Sequence, residues 1–297
     1  MKAKRNTKFG VLATILALAC AFVMMPSVKS EASTVTVNGG YTTRATAYNW
    51  GTYSQYNTIT GILPEEEDDF WVQVSVPGNS RIYARCSYDT SYDGMFLTMR
   101  NSNGGLLDIC TSDDAYGLDT VTPFLAVNCD NTTSSARTFY IHVSRGTHTG
   151  TMYFSLSMNN RIKTGHATFS FSGTASNTGN TSMSLSGVDS SELTLNLTNN
   201  TTIPPHAIVT SVSTSGTQSP SQGNVHHMIR VDGTWYTSTY ASATSGNYNI
   251  DTNDNIEAKQ QWRFKYNALA TAKSTMKNVK LTLNWEYDIS LTEYTAY

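Results

Sequence analysis

The sequence predicts an all-β chain, two antiparallel β-sandwiches of jelly-roll type behind a cleaved signal peptide. Three observations predict it. Charged residues make up only 14% of the 297 positions, and runs of Ala, Leu, Glu and Lys long enough to sustain helices are nearly absent, while Thr, Ser, Asn, Gly and Tyr recur throughout. Short segments with period-2 alternation return at regular spacing, separated by Gly, Asn and Ser turns. The charge balance also steps near residue 160. Ser33 to Asn160 holds twelve acids against six arginines and no lysine, a net of −6, whereas from Arg161 onward acids and bases balance at nine each. The step divides the chain into 1–32, 33–160 and 161–297. Each of the last two is long enough to bury its own core.

Lys2, Lys4, Arg5 and Lys8 precede the apolar run Val11 to Met25, then Pro26 and the small-residue stretch Ser30-Glu31-Ala32. That is the grammar of a secretory signal peptide, and the run is too short for a permanent membrane span. The expected location is therefore secreted, extracellular or associated with the cell surface, with no membrane anchor after cleavage. The acidic first domain, and the lack of a basic patch interleaved with aromatics, argue against nucleic acid as a partner.

In the first domain, Tyr48 and Trp50 share a parity within a Tyr- and Thr-rich entering segment. They are candidate stacking residues for sugars, against the alternative that they pack on the sandwich. Glu65 to Asp69 then runs into Phe70-Trp71-Val72-Gln73-Val74-Ser75-Val76, which places Phe70 and the three valines on one face and Trp71, Gln73 and Ser75 on the other. Further strands are expected over Arg81 to Ser87, Met95 to Arg100, Leu106 to Cys110, Pro123 to Cys129, Thr138 to Ser144 and Thr151 to Met158. The alternation in the last two assigns an inner face and turns His142 outward.

The succession of an acidic run into FWVQVSVPGN, then DGMFLTMRNSNGGLL, then TFYIHVSRGTHTGTMYFSLSM resembles the bacterial pre-peptidase C-terminal domain family over roughly residues 40 to 160. The resemblance implies a small jelly-roll sandwich of the kind appended to secreted peptidases and other exported proteins, some of which bind calcium, collagen or polysaccharide. It makes Glu67, Asp68, Asp69 and Asp93 the candidate calcium ligands, since calcium takes six to eight converging oxygens. Phe70 and Phe96 stand where the family often carries aspartates.

Beyond the signal segment the chain keeps Cys86, Cys110 and Cys129, an odd count that outside the cell implies one disulfide and one free thiol. Of the three pairings, Cys110 with Cys129 is favoured because each ends an expected strand, and the bridge would stabilise by about 3 kcal/mol in the chain-entropy account.

The second domain continues as β. Ala167 to Phe171, Met183 to Leu185, Leu193 to Leu197, Val225 to Val231, Trp262 to Tyr266 and Lys280 to Ile289 are expected strands, and Pro204-Pro205 marks an edge strand leading to Val209. His226 and His227, being adjacent, point to opposite faces and do not make a zinc pair. Trp262, Phe264 and Tyr266 read as core. Trp235-Tyr236, after the Asp232-Gly233 turn, reads as an exposed binding edge.

H-E-x-x-H, G-x-S-x-G and a phosphate-binding glycine loop are all missing from the sequence, so a non-catalytic protein is expected. The function expected is binding of extracellular polysaccharide or of a matrix or surface protein through Tyr48, Trp50, Trp235 and Tyr236. The alternatives are a self-associating surface-layer or fibre component, or an accessory protein of a secreted peptidase.

Overall fold

The structure is a computed structural model that describes residues 32–118, 122–239, 241, 246–292 and 294, so the expected signal peptide lies, but for residue 32, outside the described residues. The fold is all-β, with four five-stranded sheets. Among the described residues no helix is long and apolar enough to cross a membrane.

The first pair of sheets is drawn from β1 (Ser33–Asn38), β2 (Tyr48–Thr52), β3 (Asn57–Leu63), β4 (Asp69–Val76), β5 (Ser80–Ser87), β6 (Phe96–Asn101), β7 (Leu106–Thr111), β8 (Phe124–Asn131), β9 (Arg137–Ser144) and β10 (Met152–Asn160). Sheet A has the order β1-β3-β10-β5-β8 and sheet B the order β2-β4-β9-β6-β7. The period-2 pattern sets which side chains lie between them. Phe70, Val72, Val74 and Val76 of β4, Ile141 and Val143 of β9, and Met152 and Leu156 of β10 are all fully buried. Each buried side chain of this size contributes about 1.5–3 kcal/mol relative to exposure.

The sheets are not wholly antiparallel. β1 pairs with β3, and β2 with β4, in parallel. A parallel pair needs a crossover. Here the chain alternates between sheets, so a strand of the opposite sheet serves as the crossover where an α/β fold would use a helix.

The second pair uses β11 (Ile162–Ser170), β12 (Ala175–Asn177), β13 (Val188–Asp189), β14 (Leu193–Asn196), β15 (Ile208–Ser219), β16 (Val225–Val231), β17 (Thr234–Thr237), β18 (Tyr248–Ile250), β19 (Gln261–Ala268) and β20 (Ser274–Asp288). Sheet C runs β11-β20-β15-β18, with β12 also on β20, and sheet D runs β13-β19-β16-β17, with β14 also on β19. Trp262, Phe264 and Tyr266 of β19 are fully buried in the same cluster as Leu281, Leu283 and Trp285 of β20. β15 is an inner strand between β20 and β18, not an edge, because Pro204 and Pro205 fall in the turn before it and leave its ladder donors intact. Met183 to Leu185 is not a strand. Buried Asn180 captures Ser184 through both its amide groups, holding the segment as a tight loop with Met183 and Leu185 turned out.

Arg161, 6% exposed, joins the two sandwiches, since it donates to Asp130 of β8 at 2.9 Å and to Asp288 of β20 at 2.8 Å. Tyr294 adds to this junction, its hydroxyl donating to Asn128 at 2.6 Å and its ring lying 4.7 Å from that of Tyr83.

The expected Cys110–Cys129 bridge is not formed, and all three cysteines are buried free thiols. Strand register explains it. The Asp108 carboxylate of β7 accepts from the backbone N–H of Asn128 on β8, and the Ala126 N–H bonds to the Cys110 sulfur, which sets Cys110 beside Ala126. Cys129 is three residues further along β8, roughly 10 Å at strand rise. That is beyond the span a disulfide closes.

Candidate functional site

The outer face of sheet D gathers the groups best suited to recognition. Asp232 and Gly233, with φ of 49° and 79°, form the two-residue turn that joins β16 to β17. Positive φ at both positions matches the twist of a tight hairpin. The turn fixes the register, which sets Trp235 opposite Arg230, and Arg230 is in turn opposite Arg263 of β19, itself opposite Thr194 of β14. Trp235, Arg230, Arg263 and Thr194 thus form one transverse row across four strands.

Trp235 is half-buried on edge strand β17, with the Lys265 ammonium 4.2 Å from its ring centroid. Lys265 in turn donates to Asp189 at 2.6 Å. Burial works to raise the Asp189 carboxyl, but Lys265 and Asn267 outweigh it and hold it below the usual carboxylate range. Arg263 pairs with Glu192 at 3.2 Å. Arg230 donates only to the carbonyl of Gly233, at 3.2 Å, and among the described residues no carboxylate pairs with it. Between the two arginines opens a shallow cavity of about 200 Å³ lined by Arg230, Val231, Asp232, Gly233, Gln261 and Arg263. His226 lies on the same face, lowered by burial against the pull of Asp189.

The other expected aromatics are placed differently. Tyr236, next to Trp235, turns inward and packs against the second core. Tyr48 and Trp50 both pack against the first core, Tyr48 edge-on to Tyr41 at 5.4 Å and Trp50 as the extra residue of a bulge between Asn49 and Gly51. They do not form an exposed platform.

On the outer face of sheet B, Trp71 stacks on His142 at 4.3 Å, and His142 Nε2 meets the Asp69 carboxylate at 2.7 Å. His142 therefore faces outward but is buried, because Trp71 and Phe96 cover it. Burial lowers its pKa against the opposing pull of Asp69. Thr98 lies 3.4 Å from the other ring nitrogen. Asp, His and hydroxyl in that order evoke an activated nucleophile, yet Thr98 is only 1% exposed and the grouping is a packed network. The neighbouring edge strand β7 exposes Leu106, Leu107 and Ile109.

The acidic run disperses. Glu67 accepts from the Gly40 N–H at 2.7 Å, Asp68 is largely exposed 3.8 Å from Arg145, Asp69 goes to His142, and Asp93 offers its backbone carbonyl to Thr147. Among the described residues no three His, Cys, Asp or Glu side chains converge as a metal site. The carbonyls that do converge meet Arg145, 5% exposed, which donates to Glu67 at 2.7 and 2.8 Å, to Gly150 at 2.5 Å, and to Pro64.

YbdN of Bacillus subtilis (strain 168), an uncharacterized protein, is 41% identical over 260 residues, which span 86% of this chain and 90% of YbdN. The chain belongs to the YbdN family. No family model matches it. Among solved structures, the pre-peptidase C-terminal domain of collagenase from Bacillus anthracis resembles it at 14% identity and a TM-score of 0.28, over 38% of this chain and 94% of that one. BuGH86 in complex with neoagarooctaose overlaps 73% of this chain and 30% of its own, at 10% identity and a TM-score of 0.29. Likenesses this partial bear on neither ligand nor activity in the YbdN family.

Proposed function

We propose that the protein is an exported, non-catalytic binding protein that docks an extracellular polysaccharide on the outer face of sheet D. The observation that carries this reading is the Trp235 edge, a half-exposed indole on an edge strand in one row with the Arg230 and Arg263 guanidiniums, whose shared cavity Gln261 also lines. Flat aromatics stack on the apolar faces of sugar rings, while guanidinium and amide donors hold the hydroxyls. Export rests on the N-terminal sequence. The test is binding of the purified protein to a panel of immobilised polysaccharides and matrix proteins, beside Trp235→Ala. Polysaccharide binding that Trp235→Ala abolishes supports the reading, and binding that survives the substitution contradicts it.

A second reading, self-association in a surface layer or fibre, is favoured by one observation, the exposed Leu106, Leu107 and Ile109 on edge strand β7. Against it, Asp108 accepts from the backbone N–H of Ile109 on its own strand and of Asn128 on β8, and so ties this edge to the neighbouring sheet. Light scattering across a concentration series separates the readings, since a monomer throughout excludes self-association.

A further inference from the structure

We infer that the cavity between Arg230 and Arg263 binds an anionic group of the polymer, a carboxylate or a phosphate, so that the ligand is an acidic polysaccharide. The inference rests on the polysaccharide reading above and names its chemical class.

Arg230 and Arg263 are directly opposed residues of an antiparallel pair, and like charges so placed repel. The carboxylates nearby do not cancel the repulsion evenly. Glu192 takes one nitrogen of Arg263 at 3.2 Å, Asp189 is engaged by Lys265 and Asn267, and Asp232, exposed at the hairpin tip, lines the cavity but among the described residues forms no ion pair with either arginine. Among the described residues Arg230 is left with a single neutral acceptor, the Gly233 carbonyl at 3.2 Å from Nε, which leaves its terminal nitrogens for a ligand.

A planar guanidinium holds a carboxylate or phosphate by paired N–H donors, which a single ammonium does not. An anion seated between the two arginines would relieve their repulsion and meet the Gln261 amide in the same cavity. Trp235, directly opposite Arg230, is then one strand spacing away, the offset that allows a sugar ring to stack while its acidic substituent reaches the arginines. Lys265 over the indole is paired with Asp189, so among the described residues the uncompensated positive charge of this face is that of Arg230.

The experiment measures affinity of the purified full-length protein for three soluble polymers, a neutral galactan, a polyuronate and a poly(glycerol phosphate), at low and high salt. The expected result is affinity for at least one anionic polymer about tenfold or more above the neutral one, weakened by salt. Arg230→Gln is expected to remove that preference at unchanged melting temperature, and Arg230→Lys to restore part of it. Preference for the polyuronate identifies a carboxylate, and preference for the poly(glycerol phosphate) a phosphate. Equal affinity for neutral and anionic polymers, lost in Trp235→Ala, overturns the anion site and leaves the polysaccharide reading standing. No binding to any polymer overturns both. If Arg230→Gln lowers the melting temperature, Arg263→Lys, which keeps the charge but loses the fork, serves in its place, and an unchanged preference there also overturns the inference.

Discussion

Arg161 donates through Nε to Asp288 at 2.8 Å, from a position buried between the two sandwiches. Its other arm reaches Asp130, so one guanidinium holds a carboxylate from each sandwich. Burial alone would lower its pKa, and the two aspartates outweigh that and raise it. Arg161→Met leaves both carboxylates without their cation and is expected to cost about 3 kcal/mol, the range for breaking a buried ion pair. Calorimetry checks it. A melting profile that separates into two transitions would confirm that this residue couples the sandwiches, and an unchanged profile would contradict it.

His227 is buried in the second core, its Nδ1 2.8 Å from the Thr214 hydroxyl and its ring stacked on Tyr248 at 3.7 Å. Burial, with His226 adding to it, lowers its pKa to about 3. Above the ordinary histidine pKa the residue is neutral in both folded and unfolded chains and adds no slope. As pH falls below about 6.5 the unfolded chain binds the proton first, so stability is lost at up to about 1.4 kcal/mol per pH unit. His142 and His226, both also lowered, add to the same slope. Denaturant titrations between about pH 7 and pH 5, above the main carboxylate range, are expected to show this loss and to show less of it in His227→Gln.

Arg145 supplies the positive charge at the point where the acidic loop's carbonyls converge. The melting temperature is therefore expected to be the same in calcium and in chelator. Arg145→Met is expected to lose roughly 2–4 kcal/mol, because it strands several carbonyl acceptors. A calcium-dependent rise in melting temperature would instead assign an ion to Glu67, Asp68, Asp69 or Asp93.

The three thiols sit in the first core, and burial pushes Cys129 up to about 12 and raises Cys86 further. Thiolates are the reactive form, so all three are expected to resist alkylation until the chain unfolds. Non-reducing peptide mapping that links Cys110 to Cys129 would contradict the strand register found here.

Much of the fold was legible because its strands alternate cleanly. β4, β9, β10 and residues 279–287 of β20 carry large apolar residues at every second position, and those residues are the ones the sheets bury. β15 was not legible. Its inward positions include Thr214, Gly216 and Gln218, and the polar ones are satisfied by partners distant in sequence, His227 for Thr214 and Ser274 for Gln218. His142 showed the limit of periodicity, which assigns a face but not what covers it. The candidate site was half legible. The Asp232-Gly233 turn announced Trp235, whereas the opposition of Arg230 to Arg263 depends on a register between strands thirty-three residues apart, which no local pattern encodes.

The most direct test is titration of a soluble acidic polysaccharide into the purified protein and into Trp235→Ala at matched low salt. Saturable binding to the unaltered protein and a loss of about tenfold or more in the variant, with melting temperature unchanged, are expected. Equal affinity of the two proteins, or no binding by either, would contradict the proposed function.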